Sequence, residues 1–104
     1  MILFIDACAR EKSRTRELAK SVLSNIPYGE DKEELVNLYD TGLSPVTEEI
    51  ISKRDAALST GDFSDPCFAP ARQFAEAETI IIAAPYWDLS FPAILKVYIE
   101  NISL

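Results

Sequence analysis

The sequence predicts an open α/β fold, a parallel sheet between two layers of helices, and three observations predict it. Short apolar runs at 1–5 and 79–84 alternate with longer segments of helical periodicity. That alternation builds parallel strands joined by right-handed crossovers. The run at 79–84 (Thr-Ile-Ile-Ile-Ala-Ala) is continuous and β-branched at its start, the pattern of a strand buried on both faces. It leads into Pro85-Tyr86-Trp87-Asp88-Leu89-Ser90-Phe91-Pro92, with Pro92 where its fixed φ suits the first turn of a helix.

The elements follow in order. Residues 1–5 form a first strand; they are too few, and lack the basic leader, for a signal peptide. Asp6-Ala7-Cys8-Ala9 is a small-residue turn. Residues 10–16 then hold four of the ten basic residues of a chain whose net charge is −7. Ser13 and Thr15 both suit the N-cap of the helix that follows, which carries Leu18, Val22, Leu23 and Ile26 on one face and stops at Pro27-Tyr28-Gly29. Residues 33–39 read as a second strand, polar enough for a sheet edge. A capped helix over 47–58 and a loop over 59–66 come next. A further helical pattern runs from about 68 to 78, with Phe63 and Phe68 as lids on the core. After the strand at 79–84 and its aromatic loop, a last helix spans 91–102 with an apolar stripe of Phe91, Ile94, Leu95, Tyr98, Ile99 and Ile102.

Composition bounds the function. A chain of 104 residues is one domain at most, spanning 1–104, and a 48% hydrophobic content supplies its core. The acidic balance argues against nucleic-acid or anionic-membrane partners, and no apolar run is long enough to span a bilayer. Cys8 and Cys67 form no CxxC or metal-type spacing, so no metal site is expected. The absence of histidine excludes Cys/His zinc sites and Ser-His or Cys-His catalysis within the chain. A reducing, cytoplasmic setting is expected, and Cys8 reads as a small packed residue.

Taken alone, the basic loop suits a solvated turn whose hydroxyls cap a helix. It has no G-x-G-x-x-G or Walker sequence, which disfavours a dinucleotide-type site or a P-loop. Equally, a cationic, hydroxyl-bearing loop opening a helix offers unpaired amides, a positive dipole end and extra donors to an anion. In the strand order 2-1-3 of a doubly wound sheet, the first and third strands are neighbours, and ligands bind outside their carboxyl ends at the switch point. The basic loop therefore meets the aromatic loop. A phosphorylated, planar cofactor fits that pair, and flavin mononucleotide (FMN) is the candidate.

Two segments carry a family resemblance: Ser13-Arg14-Thr15-Arg16-Glu17-Leu18-Ala19, and Ala83-Ala84-Pro85-Tyr86-Trp87-Asp88-Leu89-Ser90-Phe91-Pro92-Ala93-Ile94-Leu95-Lys96. With Val36-Asn37-Leu38-Tyr39 at the second strand, the chain resembles the N-terminal half of the flavodoxin-like NAD(P)H dehydrogenase (quinone) and FMN-dependent azoreductase family. The resemblance implies a flavodoxin-like sheet of which the first three strands are present. It implies a two-electron flavoenzyme, usually a homodimer, that takes hydride from NAD(P)H and reduces a quinone or azo compound. Carried over by position, Ser13, Arg14 and Thr15 would contact the FMN phosphate. Pro85, Tyr86, Trp87, Asp88 and Leu89 would line the ribityl chain and ring, largely through backbone groups. Some members have a serine early in the first loop, where this chain has Ala7-Cys8-Ala9. No catalytic side chain is expected, since the flavin carries the chemistry.

A competing reading is a non-catalytic fragment of the same fold that acts as a self-associating module. With three strands, one edge of 79–84 should be unpaired, and the chain is expected to associate through it or through the face of the last helix. A flavodoxin-type electron carrier suits the acidic balance, but the 85–92 loop resembles the quinone reductases more.

Overall fold

β1 (Ile2–Asp6) is buried over its whole length and lies at the centre of a three-stranded sheet in the computed structural model, which describes residues 1–26, 32–86 and 90–104. β2 (Glu33–Asn37) and β3 (Thr79–Ala83) flank it, both parallel to it, in the order β2-β1-β3. Ile2 pairs with Glu33 on one side and Thr79 on the other, and the register runs unbroken to Asp6, opposite Asn37 and Ala83. The crossover from β1 to β2 contains α1 (Arg14–Ser24). The crossover from β2 to β3 contains α2 (Glu48–Thr60), a 3₁₀ turn (Pro66–Phe68) and α3 (Ala69–Glu76). α4 (Ala93–Ile102) follows β3.

The two-residue period of β1 divides the core. Ile2 and Phe4 point to one face, where Ala19 and Leu23 of α1 cover them with Cys8 and Ala83. Leu3 and Ile5 point to the other, against Leu95 and Tyr98 of α4, with Phe74 of α3 alongside. Phe74 and Tyr98 meet edge to face at 6.4 Å between ring centres. Each of these aliphatic and aromatic side chains contributes about 1.5–3 kcal/mol by leaving water.

Three sequence expectations are corrected here. The strand buried on both faces is β1, not β3: Ile82 is 45% exposed and Ile80 and Ile81 only half-buried, because β3 lies at the edge of the sheet. The stripe expected on α1 is rotated. Ala19 and Leu23 face the sheet, because the small Ala19 lets the helix approach closely, and Leu18 (69% exposed) and Val22 (50%) lie on the flank. Of the stripe expected on the last helix, Leu95 and Tyr98 are buried, whereas Ile99 and Phe91, which precedes α4, are exposed. Boundaries shift slightly. β2 ends at Asn37, β3 ends at Ala83, and α2 runs on to Thr60 before Gly61, at φ 76°, closes it by donating to Ala57 O. Pro92 is the residue before the first turn of α4. Phe68 is a buried lid and Phe63 an exposed one, their rings 5.2 Å apart. The stop at Pro27-Tyr28-Gly29 lies outside the described residues.

Candidate cofactor site

The sheet ladder continues one residue past β1 on both sides: Ala7 N–H donates to Ala83 O (2.8 Å), and Leu38 N–H donates to Asp6 O (2.9 Å). The loop after β1 therefore leaves the sheet at Cys8, between the carboxyl ends of its neighbours. Cys8 is buried, and its thiol donates to Ala83 O at 3.5 Å. Burial raises the thiol pKa; a hydrogen bond with Ser13 acts the other way.

Ser13 is the N-cap of α1, with extended backbone (φ −91°, ψ 127°), and its Oγ accepts from Arg16 N–H at 3.2 Å. Its carbonyl accepts the first helical bond, from Glu17 N–H. The helix start leaves the amides of Arg14 and Thr15 without an intrahelical acceptor, at the positive end of the dipole. Cys8, Ala9, Arg10, Lys12, Ser13, Arg14, Thr15 and Pro85 line one cavity of about 390 Å³. Three of those eight residues are cationic and none is acidic. Such a cavity can hold a phosphate-sized anion against backbone amides and a buried hydroxyl.

Four of the residues singled out from sequence thus share one cavity: Ser13, Arg14, Thr15 and Pro85. Tyr86 is exposed, with its ring against Phe91 at 5.5 Å and 74°. Trp87, Asp88 and Leu89 lie outside the described residues. Sequence reasoning gave no site role to Asp6 or Arg16. Asp6 is buried at the end of β1; its Oδ1 accepts from Cys8 N–H (2.9 Å) and its Oδ2 from Arg16 Nε (2.5 Å). The remaining guanidinium nitrogens donate to the carbonyls of Cys8 (2.8 Å), Arg10 (2.8 Å) and Glu11 (2.6 Å). The legible signal was an acid closing an otherwise apolar strand, ten positions before an arginine in a helix's first turn.

The family model for the flavodoxin-like fold matches residues 1–104. The chain belongs to the flavodoxin-like fold family. Within it, the chain is similar to the FMN-dependent NADH:quinone oxidoreductase 2 of Clostridium acetobutylicum, 38% identical over an alignment of 105 positions that covers 97% of this chain and 52% of that protein. It is also similar to the FMN-dependent NADH:quinone oxidoreductase of Clostridium perfringens, 31% identical over 99% of this chain and 54% of the relative. Among solved structures, it superposes on an azoreductase from Bacillus anthracis with a TM-score of 0.75 at 24% identity, covering 97% of this chain and 54% of that one. The azoreductase AzrA gives the same TM-score at 23% identity, again over 97% and 54%. These two likenesses establish the flavodoxin-like fold. The chain spans about half the length of the curated relatives it matches.

Proposed function

We propose that the chain is the N-terminal portion of a flavoenzyme that uses FMN to pass a hydride from NAD(P)H to a quinone or azo compound. One observation supports this most: the N-terminus of α1 and Pro85 meet on one cationic cavity at the carboxyl ends of adjacent parallel strands. The residues present fit the phosphate end of FMN, because the cavity offers a buried hydroxyl, helix-start amides and three cations with no acid among them. In this reading Ser13, Arg14 and Thr15 hold the phosphate. Pro85, Tyr86, Trp87, Asp88 and Leu89 flank the ribityl chain and ring. The bound flavin supplies hydride acceptance and donation. The chain's own residues orient it, neutralise its phosphate and keep water from one side of it, and none of them acts as an acid or base. The names of the relatives favour NADH as donor. A homodimer in the cytoplasm completes the reading; no helix among the described residues is long and apolar enough to cross a membrane.

Flavin absorbance of the purified chain, before and after titration with FMN, tests this. Binding below about 10 µM supports it, and no binding at concentrations on the order of tens of micromolar removes it. The second reading, a non-catalytic self-associating module, is favoured by the outer edge of β3, which has no strand partner among the described residues and exposes Ile82. Sedimentation distinguishes it: self-association should be suppressed by Ile82→Lys, and a well-folded wild-type monomer at micromolar concentration rules it out.

A further inference from the structure

Arg10, Lys12 and Arg14 border the cavity, but Arg16 does not. It lies on the other side of the loop, in the depression bounded by Asp6, Asn37, Tyr39 and Asp40. There its side chain makes four hydrogen bonds, one to the buried carboxylate of Asp6 and three to the carbonyls of Cys8, Arg10 and Glu11. Its own amide is bound by the Ser13 cap. A single residue thus joins the end of β1, the loop and the first turn of α1.

The peptide unit gives this arrangement a direction. In a trans peptide the carbonyl of one residue and the N–H of the next point opposite ways, and no described peptide bond is cis. Drawing the carbonyls of Cys8, Arg10 and Glu11 toward Arg16 therefore turns the amides of Ala9, Glu11 and Lys12 away from it. Lys12 lines the cavity on the far side of the loop, Ala9 borders the cavity and the depression alike, and the Glu11 side chain lies on Arg16's side. We propose that Arg16 is a positioning residue for the phosphate: it fixes the peptide planes of the 8–12 loop so that their amides are presented to the anion that the α1 N-terminus receives. Arg16 never touches the anion. The proposal rests on the flavin reading above, and its test separates the two.

The experiment titrates wild type, Arg16→Gln and Arg16→Lys with FMN and with riboflavin, which lacks the phosphate, following flavin fluorescence and recording thermal unfolding of each. Wild type should prefer FMN. In Arg16→Gln that preference should fall at least about tenfold, the scale of one charge-assisted hydrogen bond, with riboflavin affinity unchanged. Lysine can pair with Asp6 but cannot reach three carbonyls at once, so Arg16→Lys should recover the melting temperature without recovering the FMN preference. Inorganic phosphate gives a readout without flavin: it should shift the amide resonances of Ala9 and Lys12 in wild type and not in Arg16→Lys. If Arg16→Gln does not fold, Arg16→Lys carries both measurements. An undiminished FMN preference in the folded variants, or an equal loss for both flavins, overturns the proposal and leaves the flavin reading intact. A wild type that binds neither flavin overturns both.

Discussion

The thiol of Cys8 donates to the carbonyl of Ala83 at 3.5 Å, joining the start of the first loop to the end of β3 across 75 positions of sequence. Cys8 also lines the cavity, and its thiol is buried in its neutral form. Because burial raises the thiol pKa, the thiolate needed for alkylation is scarce near neutral pH. Cys67 also has a raised pKa, chiefly from desolvation, but it is partly accessible. Native-state labelling with iodoacetamide at pH 8 should therefore modify Cys67 first and Cys8 only after unfolding, as mass spectrometry of timed samples would report. Cys8→Ala should cost about 1 kcal/mol through the lost bond and contact.

Asp6 and Arg16 form a pair whose side chains are 6% and 16% exposed. Removing the negative partner leaves a partly buried guanidinium without its counter-charge, which is far costlier than the net value of the pair. Asp6→Asn should lower unfolding stability by about 3 kcal/mol in urea titrations. Adding Arg16→Met to it should recover part of that loss; purely additive losses would show that the two groups act independently.

The double variant Arg14→Ala, Thr15→Ala removes a cation and a hydroxyl from the cavity while keeping the Ser13 cap. FMN affinity should fall about tenfold or more, and the dependence on salt should flatten, because the cavity's attraction for a phosphate is screened by ions. Isothermal titration at two ionic strengths measures both effects. Unchanged affinity would show that the phosphate contacts lie elsewhere.

Tyr98 is fully buried, and its hydroxyl has no hydrogen-bond partner among the described residues. Burial pushes its pKa from 10.0 up to about 12. A group whose folded pKa is raised contributes stability that is complete below its unfolded pKa and lost as pH climbs through the folded one. That contribution should disappear between pH 10 and about 12. Tyr98→Phe should remove this alkaline loss and change stability at pH 7 by less than about 1 kcal/mol, since no bond is broken. Urea midpoints across that pH window check the sign.

The sheet order, the parallel pairing and the helix caps at Ser13 and Thr47 were legible in the sequence because each depends on local pattern: apolar runs, alternation and hydroxyls before helices. The convergence of the basic loop with Pro85 followed from topology, since adjacent parallel strands place their following loops side by side. What the sequence hid depends on three-dimensional neighbours. Helical spacing selects Leu18 and Val22 as readily as Ala19 and Leu23, and only the position of the sheet decides between them. The run at 79–83 is as apolar as a central strand, yet its place at the edge leaves Ile82 in water. Among the four basic residues of the first loop, charge alone could not separate the three beside the cavity from Arg16, which is bound up with Asp6 and three carbonyls.

Of its 13 residues, α2 buries only Ala57, and Ile51 and Leu58 stand in solvent. Its caps, Thr47 and Gly61, and the Lys53–Asp65 pair at 3.5 Å secure it more than any apolar face does. A helix secured in this way can unwind without disturbing the strands. Its backbone amides will exchange with deuterium through openings confined to that segment, whereas those of β1 will exchange only when the whole molecule comes apart. Within the crossover between β2 and β3, α2 is therefore a separate and weaker cooperative unit, open to a protease under native conditions before β1 is.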